Sequence, residues 1–510
     1  MSMFAEPRTI ESVSDDPLQE ISIDYPIDAS IFPPEFPAPT FLWRDPEPNV
    51  KQWLIEVTFA DGSPSIRETS NGPPMEIGEI DPRCVSSTNE LPRLNRQQAE
   101  SKTWTPAPET WETIKKHSRE AATVTITGYL DAELTQAASR GQSTLETSTD
   151  PVGAPIFYRD VPLMPSPSTN GIIQPLATSA LPLIAWRLKY VDEPGSHVLM
   201  EDLHTCANCH SFSLDGKTMG LDVDGPQNDK GLYALVPVHE QTSITNDNVI
   251  EWSDFRGKLG GRFRTAFMAQ VSPDGRHVVA TINDPGKENR ERMEDVRGKY
   301  FVTNFLDYRF LQVFYPTRGV LGWYSHEKGY LTPLPGADDP QYVHTGATWS
   351  PDGKFLVFAR AEARDPFPPD NPLPAYANDP NELQIQYSLY RIPFNDGKGG
   401  VAEPIKGASH NGMSNNFAKI SPDGRWIVFV KCRNGQLMRP DSELYIVPIE
   451  GGVARKMTCN TPLMNSWHSF SPNGRWMVFS SKGRSPYTQM YLTHIDSDGR
   501  DSPAILVENT

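Results

Sequence analysis

The sequence predicts an all-β fold built from repeated hairpin-bearing units, and three observations predict it. First, a short pattern recurs five times: FSLDGKTMGLDV from Phe212, VSPDGRHVVATI from Val271, WSPDGKFLVFAR from Trp349, ISPDGRWIVFVK from Ile420 and FSPNGRWMVFSS from Phe470. Each joins an apolar residue and Ser to an Asp/Asn-Gly turn and then an apolar β-rich run, the chemistry of a tight hairpin. Second, the repeated serines (Ser213, Ser272, Ser350, Ser421, Ser471) are spaced by 59, 78, 71 and 50 residues, a period that suits about four short strands per unit. Third, 48 prolines in 510 residues favour strands and turns over long helices. Units of this kind are the blades of a β-propeller.

Taken in order, residues 1–27 read as a tail. Residues 28–150 carry Phe41-Leu42-Trp43, the run Trp53 to Phe59, Trp104 and Trp111, and resemble a fibronectin type III-like β-sandwich. The stretch 134–155 is polar and reads as a loop or linker, and 151–200 as a linker or partial blade. Residues 201–510 form the propeller. Its third strands are expected at 231–238, 319–325, 387–394, 443–449 and 489–495. Five blades are visible, and a sixth is expected around 156–163 and 182–191, unless the natural chain continues beyond Thr510 with more.

The chemistry concentrates in Cys206-Ala207-Asn208-Cys209-His210. The spacing C-x-x-C-H is that of covalent haem attachment: two thiols reach the two vinyl groups on one porphyrin edge, and the adjacent His falls beneath the iron. One covalent haem c is therefore expected, with His210 as proximal ligand. A thiol–disulfide pair or a zinc site are the rival readings. Aligned on the repeated Ser, His210 corresponds to Ala269, Ala347, Ala418 and His468, which puts the haem where the inner strands begin. His468 and His344 are the candidate distal ligands, each weighed against a plain hydrogen-bonding role, and Arg264, with Arg262, is a candidate partner for the propionates.

The repeats resemble those of TolB-type propellers over roughly residues 201–510. A haem motif within such a propeller, CANCHSFSLDG at 206–216, resembles the haem propeller of the hydrazine synthase alpha subunit and its planctomycete-type relatives. That resemblance implies an iron-bound Tyr four residues after the motif His. This chain has Leu214 there, which points away from hydrazine chemistry.

Three functions are expected: an exported mono-haem cytochrome passing electrons to a redox partner protein, a haem-dependent oxidoreductase acting on a small molecule, or an interaction module with a structural haem, in each case with room for membership of a larger complex. The formal charge of −17 argues against nucleic acid as a partner. No run approaches the ~20 apolar residues of a membrane span. Haem attachment implies a periplasmic or extracellular setting, and MSMFAEPRTIESVSDD lacks a signal peptide's apolar core, so a removed leader is expected.

Two structural expectations complete the reading. Cys432 and Cys459 are expected to form a disulfide. The long loops 283–318, rich in aromatics, and 361–386, rich in Pro, are expected to close over the haem.

Overall fold

The computed structural model describes residues 17–78, 93–162, 182–201, 209–223, 232–239, 242–251, 267–282, 300–307, 309–310, 312–366, 372–436, 439–485 and 487–508. The chain is all-β and divides into two compact units: Met1–Ser30, Ala38–Ile77 and Arg93–Thr147 form the first, and Ile31–Pro37, Gly78–Pro92 and Ser148–Thr510 the second. Among the described residues no helix is long and apolar enough to cross a membrane.

In the first unit Gln52–Phe59 pairs antiparallel with Ile66–Ser70 on one side and Ala122–Tyr129 on the other, and the latter pairs with Ala137–Thr147. A smaller sheet joins Ser22–Tyr25, Phe41–Arg44 and Lys102–Trp104. Trp43, Trp53, Ile55, Val57, Val124 and Ile126 are buried in this unit's core. Residues 17–27 are therefore not tail: Gln19–Glu20 and Ser22–Tyr25 are strands. Nor is 134–155 all linker. Ala137–Thr147 is an eleven-residue strand whose inward side chains are Ser139, Gly141, Ser143, Leu145 and Thr147. Small polar residues fill the inward positions, so the usual hydrophobic alternation is missing from the sequence. Trp111 is buried on a helix, Pro108–His117, rather than on a strand, with Pro at its start and Lys115, Lys116 and His117 in its last turn.

In the second unit a three-stranded sheet (Ile156–Asp160, Ala185–Lys189, His197–Glu201) precedes five four-stranded antiparallel meanders, one for each sequence repeat. The arrangement is propeller-like. The third strands run Leu232–Pro237, Val320–Ser325, Ser388–Pro393, Glu443–Pro448 and Gln489–His494, within one residue of expectation at each end.

The recurring spacing of Ser and Gly within the repeats has a direct cause. In every repeat the Ser hydroxyl donates to the Asp or Asn two residues on, at 2.5–2.7 Å. It also accepts the backbone N–H five residues on, at 2.9–3.1 Å. The turn glycines (Gly216, Gly275, Gly353, Gly424, Gly474) all lie at φ of 68–73°, where a Cβ would be strained. Between sheets the core is continuous from neighbour to neighbour. Trp186 meets Leu221 and Ala234; Tyr233 and Leu235 meet Ala269 and Val271; Leu321 and Trp323 meet Ala347 and Leu356; Val357 and Leu389 meet Ala418 and Phe429.

One expectation fails here, and a second fails for the described residues, 283–299 and 367–371 lying outside them. Cys432 and Cys459 are both free thiols buried in different surroundings, Cys432 against the carbonyls of Asn434 and Gly435 and Cys459 beside Asp501. Burial pushes the Cys432 thiol up to about 12. The aromatics of the first long loop do not stay available for a haem edge. Residues Tyr300–Asn304 and Gln312–Pro316 form a hairpin, and Phe301, Phe305, Phe310 and Tyr315 are buried with Ala377, Ile385 and Tyr387. The Tyr315 hydroxyl donates to the Leu383 carbonyl at 2.7 Å, and Arg439 forms a buried ion pair with Glu382 beside it. The two loops thus share a core with the third and fourth repeats, because aromatic rings bury more area against apolar walls than at a solvated rim.

Candidate functional site

Cys209 stands one residue before the inner strand His210–Phe212 of the first repeat. His210 pairs with Leu221, and the Asp222 N–H donates to the Cys209 carbonyl at 2.9 Å, which extends the ladder by one step. Successive residues of a strand face opposite ways. His210, Leu221 and Ala234 accordingly face the three-stranded sheet, where the His210 ring meets Phe157 edge-on at 4.6 Å and lies 6.2 Å from Phe212. Cys209, Asp222 and Tyr233 occupy the other face, toward the second repeat. There Ser211 Oγ accepts the Val271 N–H at 3.0 Å and lies 3.4 Å from the Tyr233 hydroxyl.

Tyr233 is fully buried, and burial, with Asp222 and Cys209 nearby, pushes its phenol far above the ordinary tyrosine range. The phenol lies across Gly220, where any Cβ would collide with its hydroxyl. Cys209 is partly exposed. Leu214 is 68% exposed on the turn and takes no part in this cluster. Cys206, Arg262 and Arg264 lie outside the described residues.

The inner strands of the other four repeats share a device absent from the sequence reading. Each shifts register just before the repeated Ser: at Phe267/Gln270, Thr345/Thr348, Asn416/Lys419 and Ser466/Ser469. At the shift sits a residue in the left-handed region, namely Met268, Gly346, Phe417 and Trp467, with φ of 54°, 60°, 53° and 53°. These are β-bulges, which bend a strand and re-aim the side chains beyond them. In the repeat alignment their position is that of Cys209. Only Gly346 adopts such a backbone freely, so nothing in the composition signals the other three.

The candidate distal ligands are both buried. His468 Nε2 lies 3.0 Å from the Val428 carbonyl, and His344 Nε2 lies 3.2 Å from the Asp339 carbonyl. Desolvation lowers each ring to about 4, so both are neutral and donate through Nε2. Their Nδ1 atoms are buried without a hydrogen-bond partner. Among the described residues no three His, Cys, Asp or Glu side chains gather closely enough to hold a metal ion.

Lys419, which the sequence reading passed over, comes just after the bulge of the fourth repeat. Burial lowers its amine from the ordinary lysine range, while the Cys209 sulfur acts in the opposite sense; Lys419 in turn lowers His468. The alignment did carry a signal. The positions equivalent to Lys419 hold Ser211, Gln270, Thr348 and Ser469, and only the fourth repeat has a cation there.

No family model and no curated protein matches the chain. Among solved structures it is similar to an oligogalacturonate lyase from Vibrio parahaemolyticus (9% identity, TM-score 0.34, covering 68% of this chain and 98% of that one). It is also similar to a gluconolactonase from Xanthomonas campestris (13% identity, TM-score 0.35, 63% and 79%) and to prolyl oligopeptidase B from Galerina marginata (12% identity, TM-score 0.31, 64% and 48%). Likenesses this distant carry no statement about the chemistry of this chain.

Proposed function

We propose that the second unit is a TolB-like propeller of six blades carrying one covalently attached c-type haem, that it serves electron transfer outside the cytoplasm, and that the first unit is fibronectin type III-like. The observation that carries this reading is the position of the C-x-x-C-H motif, whose last residue opens the first strand of a repeat. Ring closure is supported by the carbonyls of Asp150 and Pro151, just ahead of the three-stranded sheet, which accept from the Trp476 indole at 2.8 Å and the Asn473 amide at 2.6 Å in the last repeat.

The donor chemistry fits the group: a cysteine sulfur at Cys209 and an imidazole at His210 in apolar surroundings. Cys206 and Cys209 would hold the group by thioethers and His210 would bind its iron. Bound there, haem supplies a one-electron couple whose potential depends on its axial ligands and burial. Phe157 and Phe212 fix the plane of the His210 ring by edge contacts, and the bond from Asp222 to Cys209 anchors the backbone that bears both donors. Holding the donors still keeps the reorganisation on electron transfer small.

The test is expression in a host with c-type maturation machinery. Colour that survives acid–acetone extraction and a mass raised by one haem are expected, with attachment weakened in Cys206→Ala and Cys209→Ala. Colour lost on extraction, or zinc recovered in place of iron, rejects the reading.

A further inference from the structure

We propose that Arg360, held between Tyr342 and Tyr390 of the third repeat, binds the carboxylate of a small, singly charged organic acid. The site uses no residue of the C-x-x-C-H motif and does not depend on haem.

Arg360 lies on Phe355–Glu362, which pairs with Tyr342–Trp349 on one side and Ser388–Pro393 on the other. Its partner across one ladder is His344 and across the other Ser388, so the three share a face of the sheet. Tyr342 and Tyr390 stand two residues along their strands from these partners and face the same way. Both rings reach the guanidinium, whose central carbon lies 3.5 Å from the centre of Tyr342 and 5.0 Å from that of Tyr390. Tyr390 is itself fixed: it stacks on Phe358 at 6.1 Å, and its hydroxyl lies 3.0 Å from His410 Nε2. The His410 N–H in turn donates to Ser388 Oγ at 2.9 Å.

Two tyrosines, one from each neighbouring strand, thus hold the cation in place through their ring faces. Its hydrogen-bonding capacity is left over. Among the described residues the guanidinium forms no ion pair and no hydrogen bond, and Glu362, on the same face, lies 3.7 Å from Arg364 instead. Arg360 Nε is sealed from water without a partner, as is His344 Nδ1 opposite it. The residue as a whole is partly exposed, so the open part of the fork is its terminal amino groups.

The fourth repeat supplies an internal comparison. Counted from the repeated Ser, the position of Arg360 is held there by Lys431, whose Nζ lies 4.6 Å from the centre of Tyr445. Lys431 faces Glu443 across the ladder, whereas Arg360 faces Ser388. The other repeats have Val223, Ile282 and Ser481 at this position. The third repeat therefore keeps a cation on a tyrosine and omits the carboxylate opposite it. An external carboxylate matches what is missing, since its two oxygens fit the planar fork of an arginine. The flanking rings give its organic remainder a surface to pack on. A formal charge of −17 on the chain disfavours multiply charged anions and selects for a single charge.

The experiment titrates the full chain with benzoate by calorimetry at fixed ionic strength, with benzamide and inorganic phosphate as comparisons. One benzoate is expected to bind per chain, and benzamide, of the same shape without the charge, is expected not to bind. Arg360→Gln is expected to abolish benzoate binding, and Arg360→Lys to weaken it about tenfold, the worth of one charge-assisted hydrogen bond. Lys431→Gln is expected to leave it unchanged. Absence of saturable benzoate binding overturns the proposal, as does benzamide binding equally well or Arg360→Gln retaining the wild-type affinity. Loss of binding in Lys431→Gln also overturns it, and phosphate binding as tightly as benzoate overturns the assignment to a carboxylate. Arg360→Lys keeps the charge between the rings and serves if Arg360→Gln does not fold; an affinity equal to wild type in that variant overturns the proposal too.

Discussion

Phe417 and Trp467 hold their ring centroids 5.1 Å apart from equivalent positions of successive repeats, each on a left-handed backbone. Two bulky residues thus accept an unfavourable conformation at the same step of the inner strand, and the neighbouring ring is what each gains from it. The left-handed region costs an L-residue roughly 1–2 kcal/mol.

A first prediction concerns Trp467, which is 40% exposed. Trp467→Gly is expected to be about 1 kcal/mol more stable than Trp467→Ala, because both lose the ring but only Gly is relieved of strain. The order of their urea midpoints checks this, and an Ala variant at or above Gly refutes it.

At Gly220 the Tyr233 hydroxyl occupies the space of a Cβ. Gly220→Ala is expected to destabilise the chain by about 1–3 kcal/mol through overpacking. Adding Tyr233→Phe removes the nearest obstructing atom and is expected to recover part of the loss. A double-mutant cycle measures the coupling, and additive effects would contradict the geometry.

The pair Arg439–Glu382 is almost wholly buried, and Glu382 also receives the Asn434 amide at 3.0 Å. Arg439→Met strands a buried carboxylate and is expected to cost about 3–5 kcal/mol. Arg439→Met with Glu382→Gln is expected to cost less than Arg439→Met alone. Chemical unfolding of the three proteins tests the order.

His468 and His344 give a pH signature. Their folded values, lowered to about 4 from an ordinary 6.5, mean that the unfolded chain binds more protons than the folded one between those limits. Stability is present above about pH 6.5 and is lost as the pH falls toward 4, by about 3 kcal/mol for each ring at 1.36 kcal/mol per unit. His468→Gln is expected to flatten that slope in the unfolding midpoint measured from pH 7 to pH 4.5. An unchanged slope rules out His468 as a source.

Much of the fold was legible because its signals are local. The Ser, the Asp or Asn and the Gly of each repeat are in the sequence because one turn uses all three, and the apolar third strands show themselves by alternation. His468 was aligned correctly, and its hydrogen bond to Val428 is the bland role weighed for it. The hidden part depends on partners distant in sequence. The strand Ala137–Thr147 is lined with Ser, Gly and Thr, so its inward face looks like a linker. The bulges at Met268, Phe417 and Trp467 contradict local preference and are set by the neighbouring sheets. Phe301 and Tyr315 were recognisable as rings to be buried, but composition does not say against which surface. Lys419 is a single departure from a repeat pattern, whose other members are Ser, Gln, Thr and Ser.

The pairing of Ile282 with Val320 has a consequence for how such a chain grows. These two residues are direct cross-strand partners, so everything between them leaves the sheet and rejoins it at a single rung. The sheet's hydrogen-bonded ladder runs on as though a short turn stood there. New sequence can therefore be spliced in at this point without breaking the ladder, and the hairpin bearing Phe301 and Tyr315 packs instead against the third and fourth repeats. What constrains such an outgrowth is the apolar wall it covers, not the ladder it interrupts.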